Sequence, residues 1–176
     1  MKIFIVFTNH ANQMIGCKHG DSFNFIDYLG NVCLNKNIDL IAEELSEEAL
    51  TVSRAIDSSC RILSIKMGIR HIFCDPESSE RTLLGIPSYS EILEDLGFGK
   101  VLTRAQAIQL KTEEMRYWNA RENYWIENII QHNFERCLFI CGSSHIESFI
   151  ENLSSRGINF EIIAENWTPL GTTLKT

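Results

Sequence analysis

His10, Glu43, Glu44, Asp75 and His145 are the residues of this chain whose types and placement could do chemistry. Each closes a strand-like run. Lys2–Phe7 is followed by Thr8-Asn9-His10, Ile38–Ala42 by Glu43-Glu44, Ile69–Cys74 by Asp75-Pro76, and Arg136–Cys141 by Gly142-Ser143-Ser144-His145. Two imidazoles and one or two carboxylates suit a divalent transition metal with positions left open for water, His10, Glu43 and His145 serving as ligands. The same set could work without metal, with a histidine as general base and a carboxylate (Glu43, Glu44) orienting it. Taken singly, each residue has a plainer role: Glu43-Glu44 as carboxylates at a helix start, Asp75 as a turn residue before proline, His145 as a satisfied helix-start histidine.

The elements around these corners make the convergence plausible on physical grounds. The first strand, Lys2–Phe7, is continuously apolar, as expected when helices cover both faces. Asp21 is a good N-cap for a helix carrying Phe25, Ile26, Leu29 and Val32, which ends at Asn35-Lys36-Asn37. Ser46-Glu47-Glu48 starts another helical pattern that runs, with breaks near Ser58-Ser59, to Gly68. Residues 77–100 are turn-rich. Val101 to Asn133 reads as a long helix dense in aromatics, and after Arg136–Cys141 the pattern Ile146, Phe149, Ile150, Leu153 is helical. Ile158–Ala164 reads as the last strand, and the tail from Glu165, with Pro169 and Gly171, as an edge or partner-contacting segment. Strands alternating with helices predict a three-layer α/β fold: a mostly parallel or mixed sheet of about five strands with helices on both faces. In such a sheet the strand ends share one rim, where ligands collect.

Arg121-Glu122 adds a further element. On the long helix Tyr117, Arg121, Tyr124, Trp125 and Asn128 share one broad face. An arginine on a burying face needs a carboxylate or an anionic ligand; the alternative is that Arg121 packs its stem and leaves its head in water. Cys137 and Cys141, four apart in a strand, lie on one face, as core packing requires. No G-x-S-x-G, G-x-x-x-x-G-K-[ST] or G-x-G-x-x-G motif is present, so the Gly-Ser-Ser-His corner is not a nucleotide fingerprint.

Length and composition bound these readings. The 176 residues make most simply one domain. A net charge of −7 argues against a non-specific nucleic-acid or anionic-membrane binder. The six cysteines form no C-x-x-C pair. With no secretory signal and no apolar stretch approaching a membrane span, a reduced cytoplasmic protein is expected.

Thr8-Asn9-His10, Glu43-Glu44, Arg121-Glu122 and Gly142-Ser143-Ser144-His145, in that order and context, resemble the Tiki/TraB superfamily, which also takes in erythromycin esterases and the haem-uptake ChaN proteins. The resemblance spans most of the chain. It implies one Tiki/TraB-like domain over residues 1–176 and a site built from His10, Glu43 or Glu44, Arg121 and His145. The implied activity is hydrolysis of a small-molecule or peptide substrate. In the Tiki branch similar residues serve metal-dependent peptide cleavage, so manganese, cobalt or zinc is expected; in the esterase branch a histidine activates water without metal. Two departures bear on the substrate: Phe7 stands where the family has a leading glycine, and the chain is shorter than most members. The other expectations are a binding module for a small anionic ligand or haem, and a subunit of a homo-oligomer or larger complex.

Overall fold

The computed structural model describes residues 1–99 and 101–169. The chain begins with β1 (Lys2–Thr8), a single turn α1 (His10–Gln13), β2 (Met14–Ile15), α2 (Ser22–Lys36) and β3 (Leu40–Glu43). It continues through α3 (Glu47–Ser53), β4 (Asp57–Ser58), α4 (Ser59–Met67), β5 (Arg70–Phe73), α5 (Ser78–Leu84) and α6 (Tyr89–Asp95). The long α7 (Arg104–Ile130), β6 (Arg136–Gly142), a 3-10 turn (Ser143–His145), α8 (Ile146–Ser155) and β7 (Phe160–Trp167) complete it.

Five strands form one sheet in the order β5-β3-β6-β1-β7, parallel at every pairing, so the expected three-layer α/β architecture is the observed one. Alternation along the strands divides the core in two. Ile3, Ile5, Phe7, Phe139 and Cys141 pack with Trp125, Ile126, Ile129 of α7 and Phe149, Leu153 of α8. Phe4, Val6, Leu138 and Ile140 pack with Phe25, Leu29 of α2 and Cys60, Leu63 of α4. The connectivity explains which helix lies where. The chain moves from β1 across to β3 and β5 through helices on one face, then returns to β6 and β7 through helices on the other. Right-handed crossovers in opposite directions require opposite faces. Inserted between β3 and β1, β6 therefore sits at the reversal point, where a parallel sheet opens a crevice.

Local sequence sets the boundaries. The helical pattern from Ser46 to Gly68, read with breaks near Ser58-Ser59, is two helices, the second starting at Ser59. Arg54, left-handed at φ 55°, ends α3, and Ser58 pairs with Met14 in a short antiparallel ladder before its hydroxyl accepts from the amides of Cys60 and Arg61 to start α4. The expected helix from Val101 begins at Arg104, where Thr103 and Gln106 form a reciprocal cap. At the far end β7 is an edge strand, and Trp167 packs on Phe25 with ring centroids 4.7 Å apart. Gly171 and the rest of the proposed partner-contacting tail from residue 170 lie outside the described residues. All six cysteines are free thiols. Among the described residues no helix is long and apolar enough to cross a membrane.

Candidate active site

The carboxyl ends of β1, β3 and β6 lie side by side: Thr8 is level with Gly142, and Glu43 with Ile140. One residue past β3, the Glu44 amide still donates to the Ile140 carbonyl at 2.8 Å, which holds the Glu44 side chain at the centre of the rim. Its Oε2 accepts from the Gly142 amide at 2.7 Å. Its Oε1 is wholly buried and has no hydrogen-bond partner. Three positive or polar groups face that oxygen: Arg121 Nη2 at 3.0 Å, His145 Nε2 at 3.6 Å and His10 Nε2 at 3.7 Å. The Arg121 ion pair compensates the buried charge, while no group completes a well-aligned hydrogen bond to this oxygen.

His10 and His145 arrive from different elements. Asn9 caps α1 by accepting from the Ala11 amide, so His10 is the first residue of a helical turn that starts at the end of β1. Its Nδ1 meets the Gln13 amide nitrogen at 3.2 Å, and with 43% of its side chain exposed it is the solvent-facing member of the set. His145, only 4% exposed at its side chain, sits in the 3-10 turn after β6. Its Nδ1 is 2.8 Å from Glu122 Oε1, its ring lies against Trp118 (centroids 4.4 Å apart), and Trp125 contacts it edge-on at 4.9 Å. Ser148 donates to the same Glu122 oxygen at 2.5 Å. Gly142 makes the approach feasible: a Cβ there would lie 3.0 Å from His10 Nε2 and 3.3 Å from Glu44 Oε2.

Arg121 is fixed rather than free. Its Nε donates to Asp75 Oδ1 at 2.6 Å, and its guanidinium lies 5.2 Å from the centroid of the Trp125 ring. Trp125 Nε1 donates to the same Asp75 oxygen at 3.0 Å, and Arg81 pairs with Oδ2. Burial alone would raise the Asp75 carboxyl, but the charges of Arg121 and Arg81, with the hydrogen bonds from Arg121 and Trp125, outweigh it and hold its pKa below the ordinary value. Burial opposes the charge on Arg121, and Glu44 and Asp75 more than restore it. The reading of Arg121 with its head in water is thus replaced by a paired guanidinium; the long helix was expected to supply such a residue if a carboxylate met it.

The structure brings His10, Glu44, Arg121 and His145 together. It does not bring Glu43 with them, although Glu43 stood among the expected catalytic and metal-ligating residues. Adjacent residues of a strand point to opposite faces, and Glu43 Oε1 accepts from Ser58 and from His71 Nε2, the latter at 2.7 Å. Cys141, beneath the rim, is a core thiol that burial and then the charges of Glu44 and Glu122 push well above the ordinary range. Sequence reasoning left out Glu122 as the partner of His145, and Trp118 and Trp125 as its walls. Their signal was present: Trp118, Glu122 and Trp125 recur at i, i+4 and i+7 on α7.

Among the described residues no group of three His, Cys, Asp or Glu side chains is spaced to hold a metal ion. The carboxylate oxygen that both histidines face already has Arg121 at 3.0 Å, a fixed cation with which a metal held there would share it.

Fold and site together define a three-layer parallel α/β protein with a buried carboxylate, two imidazoles and an arginine at the carboxyl rim of its sheet. The chain matches no protein-family model, and no curated protein and no solved structure is significantly similar to it.

Proposed function

We propose that the protein is a hydrolase that activates water with histidine and without metal, acting on a carboxylic ester or amide of a small molecule or peptide. The observation that carries this reading is Glu44 Oε1, buried, ion-paired with Arg121 Nη2 at 3.0 Å, and faced by His145 Nε2 at 3.6 Å and His10 Nε2 at 3.7 Å. These separations are longer than a direct hydrogen bond and leave each nitrogen to share a water with the carboxylate in the proposed mechanism. Glu122 accepts the Nδ1 proton of His145, which leaves Nε2 with the lone pair of a general base. On His10 the roles are reversed in this mechanism: the Gln13 side-chain Nε2, 3.2 Å from Nδ1, donates to it, which assigns the ring proton to Nε2.

The chemistry follows from this complementarity. A water donating to Glu44 Oε1 and to His145 Nε2 is aimed by the carboxylate and deprotonated by the imidazole as its oxygen bonds to the acyl carbon. His10 Nε2–H donates to the developing oxyanion or gives its proton to the leaving group, and its exposure lets solvent restore that proton. Arg121 adds fixed positive charge where negative charge develops. Tiki/TraB membership is consistent with this reading through its esterase branch, and remains part of the proposal.

A second reading, a binding module for a small anion, has its own support in the cavity beside Arg121. That cavity, of about 230 Å³, is below the roughly 300–1,000 Å³ usual for cofactor-sized sites, which favours a small anion over haem. The experiment is a hydrolysis survey with aryl esters, peptide amides and phosphoesters. Turnover of esters or amides that is lost in His145→Gln, with an unchanged melting transition, supports the hydrolase. Ligand binding with no turnover of any class would move the assignment to the binding module.

A further inference from the structure

The cavity beside the rim has a composition that selects a ligand. It is lined by Arg81 and Arg121, by the rings of Tyr89, Tyr117 and Trp118, and by Glu114. It adjoins a larger cavity of about 600 Å³ that shares Arg81, Ile86, Pro87 and Tyr117 with it, giving a route from outside. It also adjoins the catalytic groups. Arg121 Nη2 is 3.0 Å from Glu44 Oε1, and the Trp118 ring that lines the cavity is the one lying against His145 at 4.4 Å.

The two arginines are held by one carboxylate. Asp75, with its side chain only 5% exposed, receives Arg81 on Oδ2 and Arg121 Nε on Oδ1 at 2.6 Å. Arg81 Nε is spent on the Pro76 carbonyl at 3.0 Å. A guanidinium carries five N–H donors in a rigid fork, and the protein contacts of Arg81 and of Arg121 run through Nε and Nη2. Two pre-oriented forks on the wall of one cavity are a carboxylate or phosphate receptor. The charge balance chooses between them. Arg81 and Arg121 are already offset by Asp75 and Glu44, and Glu114 lines the same cavity, so a doubly charged phosphate would meet net repulsion. A single carboxylate, with half that charge, meets about half the repulsion and can still be held by the two guanidiniums. Three aromatic rings and a volume of about 230 Å³ leave room for one ring.

We infer that this cavity binds the carboxylate of a small, ring-bearing acid through Arg81 and Arg121. Resting on the hydrolase reading above, it thereby presents the hydrolysable bond of a ring-bearing monocarboxylate substrate to Glu44 and His145.

The test is calorimetric titration with benzoate, its neutral isostere benzamide, formate and inorganic phosphate. Benzoate should bind at least about tenfold more tightly than benzamide or phosphate, and Arg81→Gln should weaken it by about tenfold, as expected for one charge-assisted hydrogen-bond set. If Arg81→Gln does not fold, Tyr89→Ala keeps the question open to decision, since it removes a half-exposed wall ring: benzoate should weaken severalfold while formate does not change. Benzamide or phosphate binding as tightly as benzoate, or benzoate binding indifferent to both variants, overturns the inference. Benzoate binding that obeys these rules in a protein with no hydrolytic turnover leaves the carboxylate site standing and removes only the hydrolase reading. Hydrolysis of neutral esters in preference to carboxylate-bearing ones, with no benzoate binding, does the reverse.

Discussion

Glu122 and His145 form a closed pair: Oε1 lies 2.8 Å from Nδ1, and the two side chains are 1% and 4% exposed. A carboxylate in that position fixes the ring orientation and tautomer, leaving Nε2 for Glu44 and the reacting groups. Glu122→Gln keeps the shape and removes the charge that would stabilise an imidazolium during proton transfer. Turnover on any ester found to react should fall by about 10²-fold or more, with KM changed much less than kcat. Steady-state kinetics beside a melting curve checks this, and an unaltered kcat would mean that Glu122 only packs.

Gly142 tests how tightly the rim is assembled. A methyl at this position would press on His10 Nε2 and Glu44 Oε2, at 3.0 and 3.3 Å. Gly142→Ala should cost about 1–3 kcal/mol, the usual cost of overpacking, and lower the melting temperature by about 2–4 °C per kcal/mol. Differential scanning calorimetry reads both. A variant as stable as the parent would show that the histidine gives way freely.

Asp75 couples stability to acid pH. Its folded pKa lies below the ordinary carboxyl value because two guanidiniums and Trp125 outweigh burial. A depressed carboxyl stabilises the fold fully above its unfolded pKa of about 3.9, and that contribution is lost as pH falls through the lower folded value. Asp75→Asn should cost about 3–5 kcal/mol at neutral pH, because it strands buried charge. The gap between the two proteins should hold from neutral pH to about 4 and close below it. Urea titrations across that range decide the matter; a gap that widens on acidification would contradict the assignment.

Much of this was legible in the sequence, for reasons that particular residues make plain. Strands buried on both faces, such as KIFIVF, announce a parallel sheet through continuous apolarity, and parallel order then forces His10, Glu44 and His145 to one rim. The same continuity hid the choice between Glu43 and Glu44. A strand covered on both sides has no polar face to set its phase, and only Ser58, His71, Gly142 and Arg121 reveal which carboxylate goes where. Glu122 was hidden for another reason. Beside Arg121 on a helix it reads as half of a charged pair, whereas the fold sends Arg121 to Glu44 and Asp75 and Glu122 to His145. The break expected near Ser58-Ser59 opens four residues earlier, at Arg54, because a left-handed residue other than glycine leaves no compositional mark.

The metal expectation has a direct outcome as well. With Arg121 beside Glu44, protein purified without chelator or histidine tag should carry well under one equivalent of manganese, cobalt or zinc by elemental analysis. His10→Ala should leave that content unchanged. Near-stoichiometric metal lost in both His10→Ala and His145→Ala would establish a two-histidine metal site and displace the metal-free chemistry.

The most direct test of the account compares Glu44→Gln with Glu43→Gln in the ester and amide survey, each verified as folded by its thermal transition. In the proposed mechanism Glu44 aims the water and Glu43 holds Ser58 and His71, so Glu44→Gln should lose about 10²-fold or more in kcat, while Glu43→Gln keeps its rate and loses stability. Equal loss in the two variants, or loss confined to Glu43→Gln, would contradict the site as drawn.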